Sequence, residues 1–203
     1  MKNSQSKYYC WILIMMAGFL LLFCKNPFAT REPEPPTEGR TSWQLPTDPI
    51  IVLENMKNAI KEKNVENYMK CLVDSMALFR FIPGEFEAST NAGIFENWNL
   101  LHEQSYINKA FSAVPDDSVR SLAFSRVQRS EFPDSALIRA EYALKLNHIM
   151  GASIPRIGKG QADFWFIRRN GYWVIRRWID YETKSDTTVR IPSWSTIKAN
   201  FIN

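Results

Sequence analysis

The sequence predicts an α+β domain in which N-terminal helices pack on one face of a mostly antiparallel sheet. Two observations indicate this fold class. Apolar residues recur at helical spacing over residues 49–114, whereas from residue 118 onward they alternate with polar residues. In addition, Asn170-Gly171 separates two aromatic and β-branched runs, which is a strong signal of a β-hairpin. Helices followed by a meander of strands are typical of this class.

The first two helices are predicted from their starting residues. Thr47-Asp48-Pro49 supplies an N-cap residue and an early proline for a helix over residues 49–62. Asn64 is placed to cap a second, shorter helix, whose apolar stripe continues as far as Met76. Both helices should therefore present an apolar face to the sheet.

A short strand and a third helix follow. The strand is predicted over residues 77–82, and the stretch 83–98 is loop-like because Pro83-Gly84 ends the strand. The third helix covers residues 99–113, and Pro115 ends it.

Alternating polarity then predicts four long strands, at residues 118–129, 136–149, 160–169 and 172–182. A short terminal helix or an irregular tail begins at Ser193. The strands are long enough to form most of a sheet with one dry and one wet face.

The hairpin register assigns residues to the two faces. If Asn170-Gly171 is a two-residue turn, Phe166 faces Ile175 and Trp165 faces Arg176. The face predicted to enter the core then includes Phe164, Phe166 and Trp173. The opposite face mixes indoles with charges, namely Trp165, Trp178, Asp163, Arg176 and Asp180. A bulge at Arg176-Arg177 would move Trp178 to the core face, and the sequence leaves that alternative open.

Composition and charge limit the classes of function. A chain of 203 residues with 45% hydrophobic and 23% charged residues is typical of a folded protein rather than a disordered one. Apart from Lys2 and Lys7, 23 basic residues stand against 21 acidic ones, a net charge of about +2. Because this balance does not favour a polyanionic partner, no nucleic-acid binding is predicted.

The first 24 residues have the layout of a signal peptide. Lys2 and Lys7 precede an apolar run over residues 11–23, which is short for a membrane-spanning helix. The run ends at Cys24, and here the segment resembles a bacterial lipoprotein leader, whose cysteine becomes the diacylated first residue of the mature chain. Two alternatives stay open: cleavage near Ala29 to a soluble secreted or periplasmic protein, and an uncleaved N-terminal anchor.

Residues 25–47 are rich in proline, glutamate and threonine and contain almost no aliphatic residues. Such a segment cannot bury a core and favours extended polyproline II, so it is predicted to be a tether of up to ~70 Å. The domain then covers residues 48–203. Together these segments predict a protein of the bacterial cell envelope that is anchored to a membrane by a lipid on Cys24.

The order of elements resembles the nuclear-transport-factor-two-like superfamily, which includes ketosteroid isomerase, scytalone dehydratase and SnoaL-like cyclases. The resemblance rests on residues 59–64 (AIKEKN), the Tyr68-Met69 helix, and residues 171–175 (GYWVI) with Trp178 and Asp180. It covers about residues 48–182. It implies a curved sheet that closes with the helices into a cone-shaped α+β barrel, with a ligand or substrate inside the cone.

Acid–base candidates are few. The sequence contains no catalytic or metal-binding motif, so neither a metal nor a cofactor is predicted. The remaining candidates are His102, His148, Asp163 and Asp180, and for each of them a structural role is the simpler interpretation. Enzymes of the superfamily move protons with Asp, His or Tyr, but no position in this chain matches a catalytic motif.

Eight residues on the dry faces of their elements are predicted to converge on one apolar interior: Tyr68, Met69, Leu72, Tyr106, Phe111, Phe164, Phe166 and Trp173. They form either a packed core or the wall of a ligand cavity. The mixed face with Trp165, Arg176 and Trp178 is predicted to form a homodimer interface.

Two classes of function follow. The first is a non-catalytic envelope lipoprotein whose domain binds a small apolar ligand or another protein. The second is an isomerase, dehydratase or cyclase that uses acid–base chemistry inside the cone. An interior lined only by apolar side chains favours the first class, and an Asp or His at its floor beside a Tyr favours the second.

Overall fold

The structure is a computed structural model that describes residues 42–75, 78–183 and 190–202. The predicted leader, Cys24, the predicted tether up to residue 41, and Met76 lie outside these residues. The described residues belong to one compact unit, Thr41–Asn203. Within them, no helix has the length and apolar character needed to cross a membrane.

Six helices and five strands are present in the described part of the chain. In chain order they are α1 Pro49–Glu62, α2 Val65–Lys70, β1 Arg80–Ile82, α3 Glu85–Thr90, α4 Ala92–Phe95, α5 Leu100–Ala113, β2 Arg120–Glu131, β3 Ser135–Leu146, β4 Ile157–Arg169, β5 Tyr172–Glu182 and α6 Trp194–Ile202.

The two N-terminal helices begin where the sequence predicts. The Asp48 carboxylate accepts a hydrogen bond from the Ile50 N–H at the start of α1, and Asn64 caps α2 through the Asn67 N–H. The predicted continuation of the second helix beyond Lys70 toward Met76 is wrong for the described residues, because α2 ends at Lys70. Leu72 instead forms a parallel bridge to Ile175, so main-chain pairing with β5 outweighs the helical pattern.

The stretch predicted as loop-like contains two short helices, α3 and α4, so that prediction is wrong. Tertiary packing explains the difference. Phe95 and Trp98 are buried and their rings pack on Phe81 of β1, with centroids 5.9 and 5.7 Å away. These contacts hold local helical turns whose own propensity is weak.

The five strands form one sheet in the order β1-β5-β4-β3-β2. All neighbours are antiparallel except β1 and β5, which are parallel. The helices cover one face of this curved sheet, so the α+β fold predicted from the sequence is confirmed. The buried space between the helices and the sheet is called the cone interior below.

The β4–β5 hairpin turns at Asn170-Gly171, where both residues have positive φ, 52° and 85°. The predicted pairing of Phe166 with Ile175 is confirmed. The predicted pairing of Trp165 with Arg176 is wrong, because Trp165 pairs with Arg177 across a bulge. The extra residue on β5 reverses the facing of every later side chain on that strand.

The bulge places Trp178 and Asp180 inside the molecule. Trp178 pairs with Phe164 and is fully buried, and Asp180 is also buried. The prediction that both side chains lie on the outer face is therefore wrong. Asp163 and Asp180 consequently lie on opposite faces of the sheet, whereas the two-residue turn without a bulge placed them together.

The C-terminal helix α6 is an integral part of the core. Six of its nine residues are buried, including Trp194, Ile197, Lys198 and Phe201. Two glycines of β4 lie where a side chain would not fit, Gly158 beside α6 and Gly160 beside Tyr142 of β3. A Cβ at Gly158 would lie 2.8 Å from Ile197 Cδ1, and a Cβ at Gly160 would lie 2.6 Å from the Tyr142 hydroxyl.

Candidate functional site

The cone interior is closed at one side by the N-terminal end of α6. The Trp194 N–H donates to the Tyr142 hydroxyl over 2.7 Å, and the Ser195 N–H and hydroxyl donate to Asp180 Oδ2 over 2.7 and 2.5 Å. Asp180 Oδ1 accepts the Tyr142 hydroxyl over 2.6 Å. The free N–H groups of the helix start thus find acceptors on the sheet, and the helix dipole favours a carboxylate there.

Burial raises the pKa of Asp180, and its hydrogen bonds from Ser195 and Tyr142 act in the opposite direction. Burial also raises the pKa of Tyr142, so its hydroxyl keeps its proton and donates to the carboxylate. Both oxygens of Asp180 are occupied by groups of the same chain. The Asp180 side chain is therefore buried and hydrogen-bonded within the chain through both oxygens.

A second polar centre lies deeper, where Glu103 of α5 meets Lys198 of α6. Both side chains are fully buried, and Lys198 Nζ lies 2.7 and 2.6 Å from the two carboxylate oxygens. The same oxygens accept the Tyr68 hydroxyl and the Trp98 indole N–H, each over 2.7 Å. Each oxygen therefore accepts two hydrogen bonds, which is what a buried carboxylate requires.

Aromatic rings surround the lysine end of this centre. Lys198 Nζ lies 3.7 Å from the ring centroid of Phe81 and 4.0 Å from that of Trp178. The rings of Trp98 and Tyr106 follow at 5.2 and 5.3 Å. Burial lowers the pKa of Lys198 to about 8, although the neighbouring Glu103 carboxylate acts in the opposite direction.

The eight residues predicted to line one interior lie as follows. Tyr68, Leu72, Tyr106, Phe111, Phe164, Phe166 and Trp173 are buried parts of the hydrophobic core, whereas Met69 is only partly buried. Two of these residues also form hydrogen bonds. The Tyr68 hydroxyl donates to Glu103 over 2.7 Å, and the Tyr106 hydroxyl accepts the Trp194 indole N–H over 3.0 Å. The seven buried residues pack against their neighbours, and Met69 lines a groove outside the core.

The two histidines occupy structural positions. His102 Nδ1 lies 3.1 Å from Asn99 Oδ1 at the start of α5, and its ring packs beside Trp98. His148 is buried, accepts the Met150 N–H at Nδ1 over 3.3 Å and contacts the Phe201 ring. The ring nitrogens of the two histidines have Asn99, Pro155 and Met150 as hydrogen-bond partners, rather than the acids inside the cone.

Asp163 is engaged on the outer face of the sheet. It accepts a bidentate pair of hydrogen bonds from Arg139 on β3, both over 2.7 Å, and the Tyr181 hydroxyl lies 3.4 Å away. The bulge shifts the sheet partner of Asp163 from Trp178, as the register without a bulge has it, to Ile179.

An open groove lies at the edge of the domain, between the segment before α1, helices α2 and α5, and the hairpin. We call it the edge groove. It has a volume of about 770 Å³, within the range of small-molecule sites. Its apolar lining includes Trp43, Leu45, Val65, Met69, Leu100 and Val174.

The charges on the rim of the edge groove are paired with one another. Lys70 lies 2.5 Å from Glu66, and Arg169 lies 3.4 Å from Asp74. The hydrogen bond and charge of Lys70 lower the pKa of Glu66. The groove therefore offers a predominantly apolar surface with balanced charge at its rim.

The outer face of the sheet carries the remaining residues of the predicted interface. Trp165 is partly buried and Arg176 is exposed, and both line a shallow depression with Leu78 and Ile167. Trp178 does not contribute to this surface, because it lies in the core.

Sequence reasoning missed the polar centre of the cone. Glu103 and Lys198 each sit within an apolar stripe, the first with Tyr106, Ile107 and Ala110, the second with Trp194, Ile197 and Phe201. A charged residue within an apolar stripe is the sequence signal that could have identified this centre, because amphipathic helices ordinarily keep their charges on the opposite face. In the described residues, no group of three or more His, Cys, Asp or Glu side chains is arranged to hold a metal ion.

No protein-family model matches the chain, and no curated protein matches it by sequence. Solved structures do resemble it. One is a Mycobacterium tuberculosis protein of unknown function, with a TM-score of 0.50 and 14% identity, over 74% of this chain and 82% of that chain.

Two proteins from Novosphingobium aromaticivorans also resemble the chain. The first, provisionally named a scytalone dehydratase, has a TM-score of 0.51 and 12% identity over 70% of this chain and 87% of its own. The second, provisionally named an aromatic ring hydroxylase, has a TM-score of 0.50 and 12% identity over 66% and 85%. At such low identity these similarities establish the fold alone, an α+β fold with helices packed on a curved, mostly antiparallel sheet.

Proposed function

We propose that this chain is a non-catalytic binding protein of the bacterial cell envelope and that a small neutral apolar ligand occupies the edge groove. One observation carries the proposal. The cone interior is filled by α6, and its carboxylates are engaged by groups of the same chain, whereas the edge groove is open, apolar and of ligand size.

The chemistry of the groove supports a neutral ligand. Its floor consists of aliphatic and aromatic side chains, and the charges of Glu66, Lys70, Asp74 and Arg169 are matched in pairs at the rim. A charged ligand would have to lose water in the groove without gaining an unpaired counter-charge. An apolar ligand has no such desolvation cost, and the burial of its apolar surface in the groove favours binding.

Binding of the neutral probe N-phenyl-1-naphthylamine tests the proposal. We expect fluorescence titration of the wild-type protein to give a Kd on the order of 100 μM. Leu100→Glu, which places a carboxylate in the groove, should weaken binding at least tenfold. Leu101→Glu is the matched control, because Leu101 is the next residue of the same helix turn but is 60% exposed.

Equal affinities for the two variants, with a folded circular dichroism spectrum for both, would contradict a ligand site in the groove. Absence of probe binding to the wild-type protein would contradict it as well.

The envelope location rests on the leader. Cys24 ends an apolar run and precedes a proline-rich segment, and such a layout supports lipidation at Cys24. We expect Cys24→Ser to release the protein from membranes or to block its processing. Recovery of wild-type protein in the soluble fraction, with an N-terminus near Arg31, would count against the anchor.

A homodimer through the outer face is part of the same proposal. The surface around Trp165 and Arg176 combines an aromatic ring with charged side chains, a composition typical of interfaces. Light scattering of the domain at ~100 μM should give a mass above that of the monomer. A monomeric mass at that concentration would argue against the interface.

An enzyme of the isomerase, dehydratase or cyclase type is the second candidate. It is favoured by the pair of Asp180 and Tyr142 inside the cone, since an acid with a raised pKa suits proton transfer. One structural neighbour is also named a dehydratase. Under this hypothesis α6 must move, and Asp180→Asn should abolish turnover while leaving probe binding in the edge groove unchanged.

A further inference from the structure

The surroundings of Lys198 Nζ have the composition of a cation-binding site. The nitrogen contacts one carboxylate, that of Glu103, and four aromatic rings lie within 5.3 Å of it, those of Phe81, Trp98, Tyr106 and Trp178. Aromatic faces attract cations through their quadrupoles, and they do so most strongly where water is excluded. Lys198 has no solvent-exposed surface, so water is excluded here.

The walls of this cage come from elements other than the helix that supplies the lysine. Phe81 belongs to β1, Trp98 to the segment before α5, Tyr106 to α5 and Trp178 to β5. The Glu103 carboxylate is fixed by hydrogen bonds from Tyr68 and Trp98, both independent of α6. The sheet and the other helices therefore supply the carboxylate and the four rings of this site, and α6 supplies the cation and packs Trp194 against the rings of Trp178 and Tyr106.

We propose that the cone interior is a binding site for a primary alkylammonium ion and that Lys198 occupies this site in cis. The class of ligand follows from the geometry. A carboxylate on one side suits an N–H donor, and rings on the other sides suit a compact positive charge joined to an alkyl chain. This site differs in place and chemistry from the edge groove, and the inference does not rest on the function proposed above.

The charge preference of this site can be measured once the lysine side chain is shortened. Lys198→Ala in the full chain removes the atoms of n-propylammonium and leaves a cavity of that shape. An apolar cavity accepts any small molecule of suitable volume, whereas a cation site discriminates by charge. n-Propylammonium chloride is therefore the test ligand, and 1-propanol and sodium chloride are the controls for volume and ionic strength.

Thermal unfolding at pH 7 is the measurement. For Lys198→Ala we expect n-propylammonium at ten times its Kd to raise Tm by about 3 °C or more, and 1-propanol to bind at least tenfold more weakly. Lys198→Met is the matched control, since a neutral side chain of similar length fills the cage. Its Tm and that of the wild-type protein should not respond to n-propylammonium beyond the effect of sodium chloride.

If Lys198→Ala is unfolded in buffer, refolding it with 100 mM n-propylammonium should restore the native tryptophan fluorescence, and 1-propanol should not. Failure of n-propylammonium to stabilise or refold this variant overturns the proposal. An equal response to 1-propanol, or an equal response of Lys198→Met, also overturns it, because the effect would then come from volume or from a site elsewhere.

Discussion

The cone interior and the edge groove lie on the same scaffold, but they are opposite in character. The cone interior holds a buried ion pair, a buried carboxyl group and several tyrosine hydroxyls, and each charged group there has partners within the chain. The edge groove is open to solvent and lined by apolar side chains. The charged side chains of the cone interior are therefore buried, whereas the apolar side chains of the edge groove are accessible to solvent.

This contrast separates stability from binding. An unpaired charge in the interior would be costly, so the charged groups of the cone must keep their partners for the fold to be stable. The groove has no such requirement, and its residues can change without loss of a buried partner. Variants in the cone should therefore act mainly on the free energy of unfolding, and variants in the groove mainly on binding.

The largest expected effect comes from neutralising Glu103. Glu103→Gln keeps the shape of the side chain but leaves Lys198 buried without a counter-charge, and we expect a loss of about 3–5 kcal/mol of stability in urea unfolding. Combining it with Lys198→Met should recover part of the loss. Glu66→Gln at the rim of the groove, where the ion pair is exposed, should leave the free energy of unfolding close to that of the wild-type protein. Equal costs for Glu103→Gln and Glu66→Gln would remove the distinction between the two regions.

The pH dependence of stability offers a second test of the cone interior. The pKa of Lys198 is about 8 in the folded protein and about 10.5 when unfolded. Between these values the unfolded chain binds more protons, so stability should rise with pH by about 3 kcal/mol. Above pH 10 it should fall again, because burial raises the pKa of Tyr68 and Tyr142 and only their unfolded forms release protons.

Lys198→Met should remove the rise between pH 8 and 10.5 and keep the fall above pH 10. Lys70→Met at the groove should leave both unchanged, because Lys70 is exposed. If the stability of Lys198→Met still rises over this pH range, the rise belongs to a titrating group other than Lys198.

A smaller effect is expected from a single hydroxyl. Tyr142→Phe removes the donor to Asp180 and the acceptor of the Trp194 N–H, and we expect it to cost about 1–3 kcal/mol. Tyr172→Phe is the matched change at the groove, where the tyrosine is 40% exposed, and it should be close to neutral. Chemical unfolding of both variants makes the comparison, and similar losses would show that α6 is not held by Tyr142.

Much of the fold could be predicted from local pattern. The Asn170-Gly171 turn, the cap at Asn64 and the alternation along β3 are short-range signals, and the structure agrees with each of them. The bulge at Arg176 could not be predicted from the sequence, because the register with the bulge and the register without it both give β5 one largely apolar face. One residue of difference placed Trp178 and Asp180 on the wrong side.

The candidate sites were harder to predict, because they join distant parts of the chain. Glu103 and Lys198 are 95 residues apart, and only tertiary structure shows that their two apolar stripes face each other. The edge groove likewise combines Trp43, Met69 and Val174 from three separate elements. Periodicity identifies which face of an element is buried, but it does not identify the element against which that face packs.

The position of α6 has a consequence for how the chain folds. This helix follows every other described element in the sequence, and its partners Tyr142 and Glu103 are 52 and 95 residues away. During synthesis from the N-terminus, the residues of the sheet and of the other described helices are therefore made before Trp194 and Lys198. Long-range contacts of this kind form slowly, so we expect the interior to stay hydrated until a late step of folding. A stopped-flow refolding experiment should accordingly show that secondary structure forms before the burial of Trp194.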